Sequence, residues 1–392
     1  MKVYLDNSAT TRAADEVVEV MADALQYQYG NPSSLHRMGI EAEKIVTRSR
    51  EAVARVLGVR PECIIFTSGG TESNNLAIKG IARAKKREGK HLITSAVEHP
   101  SVLNTFRELE EDSYQVTYLD VDRRGRVNPD DLRRALRDDT IMVSIMHVNN
   151  EVGVVEPVAE IGEILRHHRK HYSGRGVVFH VDAVQSFVKI PVQPLKMGID
   201  CLSISAHKIH GPKGIGALYI RKGLRLVPQL AGGGQEKGLR SGTENVPGIA
   251  GLGMAAFLGL ETMDEAASRM FALKDRLVEP VLSRVPRSRL IGGLGPEDGM
   301  APHIVNLSFP GLKGEVVVHA LEEQGVYVST GSACSSRGHD RSHVLVAMGL
   351  EPEVVDGAIR ISFSRENTRK EIDYAAGVIV ATIEELYSLY RG

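Results

Sequence analysis

The chain has few cysteines, no excess of charge and no long uninterrupted apolar run, and each shortage removes a class of function. Three cysteines, Cys63, Cys201 and Cys334, in 392 residues are too sparse for a disulfide framework, and their number is odd. That usage fits a reducing compartment, so a cytoplasmic protein is expected. The formal net charge is −1, with 48 Lys and Arg against 49 Asp and Glu. A nucleic-acid binder shows a basic excess or a basic block. The short run Ala84-Lys85-Lys86-Arg87 reads instead as the solvated end of a helix. The opening Met1-Lys2-Val3-Tyr4-Leu5-Asp6 has no apolar stretch behind its basic residue, and no segment is expected to reach the length of a membrane span. There is no internal repeat, low-complexity tract or obvious flexible linker.

What is present is ordinary for a soluble globular protein: 42% hydrophobic and 25% charged residues. The length fits one large domain and one small one. Strand-like apolar runs at Cys63–Thr67, Leu92–Thr94, Val116–Leu119, Ile141–Met146, Val177–Val181, Leu202–Ser205 and Ala217–Ile220 alternate with longer amphipathic stretches. Those stretches lie near Glu41–Leu57, Thr71–Glu88, Asp130–Leu136 and Val158–Arg169. Several runs are apolar at every position, as suits strands of a mainly parallel sheet covered on both faces. The fold class is α/β. After about Val246 the rhythm changes. Gly248 to Leu282 reads as a long helix or two, followed by a strand (Ile304–Phe309), a helix (Lys313–Gln324), a Gly/Ser-rich loop and a last helix (Arg369–Leu389).

In an open parallel sheet, ligands bind at the carboxyl ends of the strands, so the residues after each run carry the argument. Ser68-Gly69-Gly70-Thr71-Glu72-Ser73 follows the first. Its glycines allow a tight turn, Thr71 and Ser73 could cap the next helix, and that helix's free N–H groups suit a phosphate; a plain capped turn is the alternative. Asp182 ends an apolar run, where a carboxylate is costly unless it meets a cation. Lys208, in Ala206-His207-Lys208-Ile209-His210-Gly211-Pro212, sits between a buried strand and a Gly/Pro loop. Burial would lower its pKa, which suits Schiff-base chemistry. Alone, Asp182 reads equally as a cap and Lys208 as a surface lysine. With Thr71 they make a phosphate grip, a partner for a pyridine nitrogen and an amine for an aldehyde, the requirements of pyridoxal phosphate (PLP). His99 and Asn150 follow two further strands at the same edge.

Cys63 and Cys201 open strand-like runs and read as structural. Cys334 lies among Gly331, Ser332, Ala333, Ser335 and Ser336, near Arg337, and is a candidate nucleophile; an idle thiol is the alternative. Arg360, inside an apolar run, needs an anion, either a substrate carboxylate or a structural partner. The cluster His167, His168, His171 and His180 lacks the Cys or Glu that would complete a metal site. The glycine-rich Gly232–Gly238 lacks the Gly-Lys-Ser/Thr ending of a nucleotide phosphate loop.

Taken together, Tyr4–Thr11, Gly30–Ser34, Thr67–Asn74, His147–Gly153, Ser205–Gly214, Arg240–Glu244 and Gly331–Ser335 resemble the NifS/IscS-type cysteine desulfurases, in order and over nearly the whole chain. The resemblance implies a fold-type I PLP enzyme of the class V aminotransferase family. It implies a large domain over residues 15–261 and a small domain formed by residues 1–14 with 262–392. By motif match, Lys208 carries PLP, Asp182 meets the pyridine nitrogen, Gln185 the ring hydroxyl, and His99 the ring face. Gly70, Thr71, Ser205 and His207 hold the phosphate, with Thr243 reaching in from the other subunit of a homodimer. Asn150 and Arg360 lie on the substrate carboxylate side, Asn150 also against the cofactor. Lys208, His99 and Cys334 are the catalytic residues, and Cys334 takes sulfur from L-cysteine as a persulfide. No resident metal is implied, though Cys334 is a candidate transient iron–sulfur ligand. The implied partners are L-cysteine and an iron–sulfur scaffold or other sulfur acceptor, with no nucleic acid and no membrane. A PLP-dependent lyase or aminotransferase of the same fold and a selenocysteine lyase are the rivals, and a non-catalytic assembly subunit is a further one. The stretch His167–Gly176 is longer than the family pattern, and the chain ends at Gly392, soon after its last helix.

Overall fold

Seven strands form the main sheet, six of them buried on both faces and the edge strand Gln115–Leu119 partly exposed. The structure, a computed structural model, describes residues 1–171, 176–331 and 341–389. In chain order the strands are β1 (Val3–Tyr4), β2 (Ile64–Thr67), β3 (His91–Ser95), β4 (Gln115–Leu119), β5 (Thr140–Ser144) and β6 (Val178–Asp182). They continue with β7 (Cys201–Ser205), β8 (Gly216–Ile220), β9 (Arg289–Ile291), β10 (Ile304–Ser308), β11 (Val326–Tyr327) and β12 (Ala358–Ser362). The large sheet has the order β2-β8-β7-β6-β5-β3-β4. Strands β7, β6, β5, β3 and β4 are parallel, and β8 runs against both its neighbours. The chain belongs to the α/β class expected, with each apolar run on a strand.

Alternating strand residues feed two cores. Ile64, Phe66, Phe179, Val181, Leu202 and Ile204 pack beneath helices Arg37–Leu57, Val158–His171 and the start of Val246–Arg284. Ile65, Leu92, Met142 and Leu218 pack on the other face against helices Gly70–Lys85 and Pro100–Glu111. A third core forms around the antiparallel sheet β12-β10-β9, where Val305, Leu307, Ile359 and Ile361 meet Leu273, Leu277 and Val281 of the long helix and Ile372, Ile379 and Ile383 of the last helix.

The stretch from Val246 is one helix of 39 residues. Its length and composition would let it cross a bilayer, against expectation, yet more than half of its most apolar window is buried inside the protein. Glycines let it approach its neighbours: a Cβ at Gly253 would sit 2.7 Å from Ser49 Cα, and one at Gly259 2.7 Å from Val188 side-chain atoms. The apolar face therefore belongs to a core helix.

One further expectation needs correction. Thr71 and Ser73 do not cap the helix after β2. It begins one residue earlier, at Gly70, with Gly69 as the cap residue and no side-chain cap bond. Ser73 is buried and its Oγ meets Thr67 Oγ1 at 2.8 Å. Among the described residues no side chain caps the helix's leading N–H groups, a geometry that suits an anionic ligand. His180 is a sheet residue, with its ring nitrogens 2.8 Å from Ser144 Oγ and 3.0 Å from Ser203 Oγ. The Gly232–Gly238 loop is tied down by Glu236, which pairs with Arg50 at 2.7 Å and accepts from Phe66 N.

Candidate active site

The parallel strands end at one edge, and a cavity of about 540 Å³ opens there. The residues after those strand ends meet in it: Gly70 and Thr71 after β2, His99 after β3, Asn150 after β5, Asp182 and Gln185 at β6, and Ser205, His207 and Lys208 at β7. Arg360, from the middle of β12, closes the opposite side. Thr243 is exposed and lines a separate hollow with Ser68, Gly214 and Arg240, so it does not enter the cavity of its own chain. Cys334 lies outside the described residues.

Asp182 is 5% exposed, yet no cation pairs with it among the described residues. Its Oδ2 accepts from Asn74 Nδ2 at 2.7 Å and its Oδ1 from Val184 N at 3.0 Å. A buried carboxylate held by neutral donors is a strong site for an incoming positive group. Asn74 uses its other hydrogen on Ser101 Oγ, at 2.9 Å. Ser101 in turn fixes His99: its backbone N donates to His99 Nδ1 at 3.1 Å, and its Oγ lies 2.8 Å away. Since Nδ1 accepts, the neutral ring carries its proton on Nε2. Burial, helped by Lys208 and His343 and opposed by Asp182, lowers the His99 pKa, which keeps the ring neutral.

Lys208 Nζ donates to the carbonyls of Ser8 and Ala9, at 2.6 and 2.7 Å. Those acceptors come from the N-terminal segment, which also holds His207 through Thr10 Oγ1 at 3.2 Å. Burial lowers the His207 pKa to about 4, so its ring is neutral beside Lys208 and Lys213. Around the leading turn of the helix at Gly70, a second hollow is lined by Gly69, Thr71, Ser205 and His207. A Cβ at Gly70 would lie 2.8 Å from Val184 Cγ2, so only glycine leaves that close approach free.

Arg360 has the structural partner that was one of its two readings, and it also lines the cavity. It is 3% exposed, pairs with Asp6 at 2.7 Å, and donates to the Asn150 carbonyl at 2.9 Å. Its Nε is buried with no partner among the described residues. Glu151, beside Asn150, accepts from Ser342 Oγ at 2.5 Å, and burial raises its pKa. Sequence reasoning missed Asn74, Ser101, Glu151 and His343, all of which line the cavity. Only Asn74 left a signal, one helical turn beyond Gly70.

The residues suit PLP: helix N–H groups with Ser205 and His207 for a phosphate, a cation-seeking Asp182 for a ring nitrogen, and Lys208 for an aldehyde. The fold and site define a fold-type I PLP enzyme. The aminotransferase class-V family model matches residues 3–375. A cysteine desulfurase IscS of Dictyoglomus turgidum is 45% identical over 388 residues, spanning 99% of this chain and 96% of the relative. A solved NifS-like protein superposes with a TM-score of 0.90 at 41% identity, covering 99% of this chain and 100% of that one. A structure titled SspA in complex with cysteine gives 0.81 at 36%, covering 94% of this chain and 100% of that one. The chain belongs to the class-V aminotransferase family, in its NifS/IscS group of cysteine desulfurases.

Proposed function

We propose that this PLP-dependent cysteine desulfurase moves the sulfur of L-cysteine onto Cys334 and releases alanine, with the cavity residues in the following roles. Gly70, Thr71, Ser205 and His207 hold the cofactor phosphate, Asp182 the pyridine nitrogen, Gln185 the ring hydroxyl and His99 the ring face. Bound PLP supplies an aldehyde that reacts with amines and a ring that accepts electrons from bonds breaking at the substrate. Lys208 holds the cofactor at rest and, once displaced by substrate, serves as the amine that moves protons at the substrate Cα. His99 presents Nε2–H as a second donor. Arg360 takes the substrate carboxylate, with Asn150 alongside. Cys334, as thiolate, attacks the substrate sulfur. The S–S bond forms as the Cβ–S bond breaks, the carbon gains a proton, and Cys334 is left as a persulfide.

The observation that carries this reading is the placing of both Asp182 and Lys208 at the ends of neighbouring parallel strands, facing one cavity. Mass spectrometry after incubation with cysteine tests it. The expected result is one extra sulfur on the Cys334 peptide together with alanine. Alanine with unmodified Cys334 would favour a lyase instead.

Residues 15–261 serve in this reading as the cofactor domain, and 1–14 with 262–392 as the domain carrying Cys334. The separate apolar cores support it, and the boundary falls within the long helix. A homodimer completes each site with Thr243 of the other chain. The exposed Leu25, Tyr27, Tyr29 and Leu35, the last 97% exposed, supply an apolar face for that contact. The persulfide passes to an acceptor such as an iron–sulfur scaffold, in the cytoplasm.

A further inference from the structure

Gln185 is 5% exposed, and three groups from different parts of the chain surround its carboxamide. Gln185 Nε2 donates to the Ser8 carbonyl at 3.0 Å. Gln185 Oε1 lies 3.3 Å from Lys189 Nζ and 3.3 Å from His303 Nε2. A carboxamide can turn over and exchange its oxygen and nitrogen, so its orientation must be read from its partners. Here they agree. A backbone carbonyl only accepts, so it requires the nitrogen side. Protonated Lys189, whose pKa burial pulls down to about 7, only donates, so it requires the oxygen side.

His303 completes the case. It is fully buried at the start of β10, and its Nδ1 has no hydrogen-bond partner among the described residues. Burial, with Lys189, Lys274 and Arg360 nearby, drives its pKa well down, so the ring is neutral. A neutral imidazole has one N–H, and the placement beside an oxygen assigns it to Nε2. Nδ1 is then the lone-pair nitrogen, which forfeits less than a buried N–H left without an acceptor. Turning the carboxamide over would set oxygen against the Ser8 carbonyl and N–H against the His303 N–H, two repulsive contacts in a buried place.

We infer that Lys189 and His303 are positioning residues that lock the Gln185 carboxamide so that only an N–H donor, never an oxygen, faces the cavity. Among the described residues Ser8 takes one Gln185 N–H, and the other remains for the cavity that Gln185 lines. The inference rests on the PLP reading above. A fixed donor there favours the negatively charged form of the cofactor's ring oxygen. Through that oxygen it eases loss of the proton carried by the adjoining chromophore. Neither Lys189 nor His303 needs to touch the cofactor.

The test titrates apoprotein with PLP and follows the bound cofactor's visible absorption against pH. Lys189→Met should weaken PLP binding roughly two- to tenfold, the worth of one buried hydrogen bond. It should also move the absorption transition to higher pH. Lys189→Arg, which keeps a donor, should restore both. In a Gln185→Leu background, adding Lys189→Met should change neither, because its target is gone. His303→Phe, which fills the ring's place without the N–H, should reproduce the Lys189→Met effects and provides the measurement if Lys189→Met does not fold. Unchanged binding and absorption in Lys189→Met would overturn the inference. So would an equal further shift in the Gln185→Leu background, since Lys189 would then act through its own charge. A wild-type chain that takes up no PLP would sink the functional reading itself; a wild type that does, with variants indistinguishable from it, would sink this inference alone.

Discussion

Replacing Asp182 by Asn tests the centre of the site, because it removes a charge while nearly conserving shape. In the native chain the carboxylate accepts from Asn74 and Val184 and makes no salt bridge among the described residues. An Asn in its place that still accepts from Val184 N sets its own N–H against that of Asn74, and turned the other way it keeps the Asn74 bond but sets N–H against Val184 N. The local cost is that of losing a hydrogen bond to a charged acceptor, about 1.5–3 kcal/mol, too little to unfold a domain of this size. The functional cost is larger. A unit charge pair about 4 Å apart at an effective dielectric near 20 is worth about 4 kcal/mol. If that attraction holds the ring nitrogen protonated while electrons move into the ring, its loss slows turnover by roughly a thousandfold. The assay is alanine formation per mole of bound cofactor, with cofactor content measured separately and the fold checked by circular dichroism. Turnover within tenfold of wild type at full cofactor content would refute the argument, because the carboxylate would then be a structural cap.

Lys208→Ala should fold, bind PLP only reversibly and lose the yellow covalent form; borohydride reduction that fixed the cofactor on Lys213 instead would show that the wrong lysine was chosen. Cys334→Ser should keep cofactor and cysteine binding yet yield no sulfide and no persulfide, whereas Cys63→Ser and Cys201→Ser, at buried thiols, should affect packing more than turnover. Wild-type alanine production by Cys334→Ser would bring the lyase reading forward. Burial holds the Glu156 pKa up to about 8, against 4.5 for the ordinary carboxyl. The folded chain therefore keeps a proton that the unfolded chain releases, and the stability this supplies is full below about pH 4.5 and lost as pH rises towards 8. Glu156→Gln, neutral at every pH, should raise stability relative to wild type by roughly 2–4 kcal/mol at pH 8 and by little at pH 4.5; equal effects in thermal melts at both values would contradict the burial argument.

The large sheet was legible because burial on both faces leaves a run of apolar residues, and Ile64–Phe66 and Ile141–Val143 carry that mark plainly. The polar residues that interrupt such runs were legible for the same reason: Asp182 and Lys208 stand where an apolar strand stops. Helices Asp15–Gln26 and Pro100–Glu111 were not marked out, each being short with its apolar residues spread among charged ones. The capping role given to Thr71 and Ser73 failed because residue type alone does not fix which residue opens a helix, and here the turn closes one position earlier. The supporting contacts were out of reach altogether. Asn74 meets Asp182 across 108 positions and Lys208 meets Ser8 across 200, and no local pattern encodes a bond between segments that only folding brings together. The sequence left Arg360 with two alternatives, substrate or structural partner, and the fold supplies the structural one in Asp6 while keeping the group on the cavity wall. On the central position of β12, Nη2 of the guanidinium is held by Asp6 and Nη1 by the Asn150 carbonyl, while the group still lines the cavity. Asp6 and Asn150 thus fix where the Arg360 cation stands on the cavity wall, and in the proposed reading the contacts that hold it structurally are the ones that aim it at the substrate carboxylate.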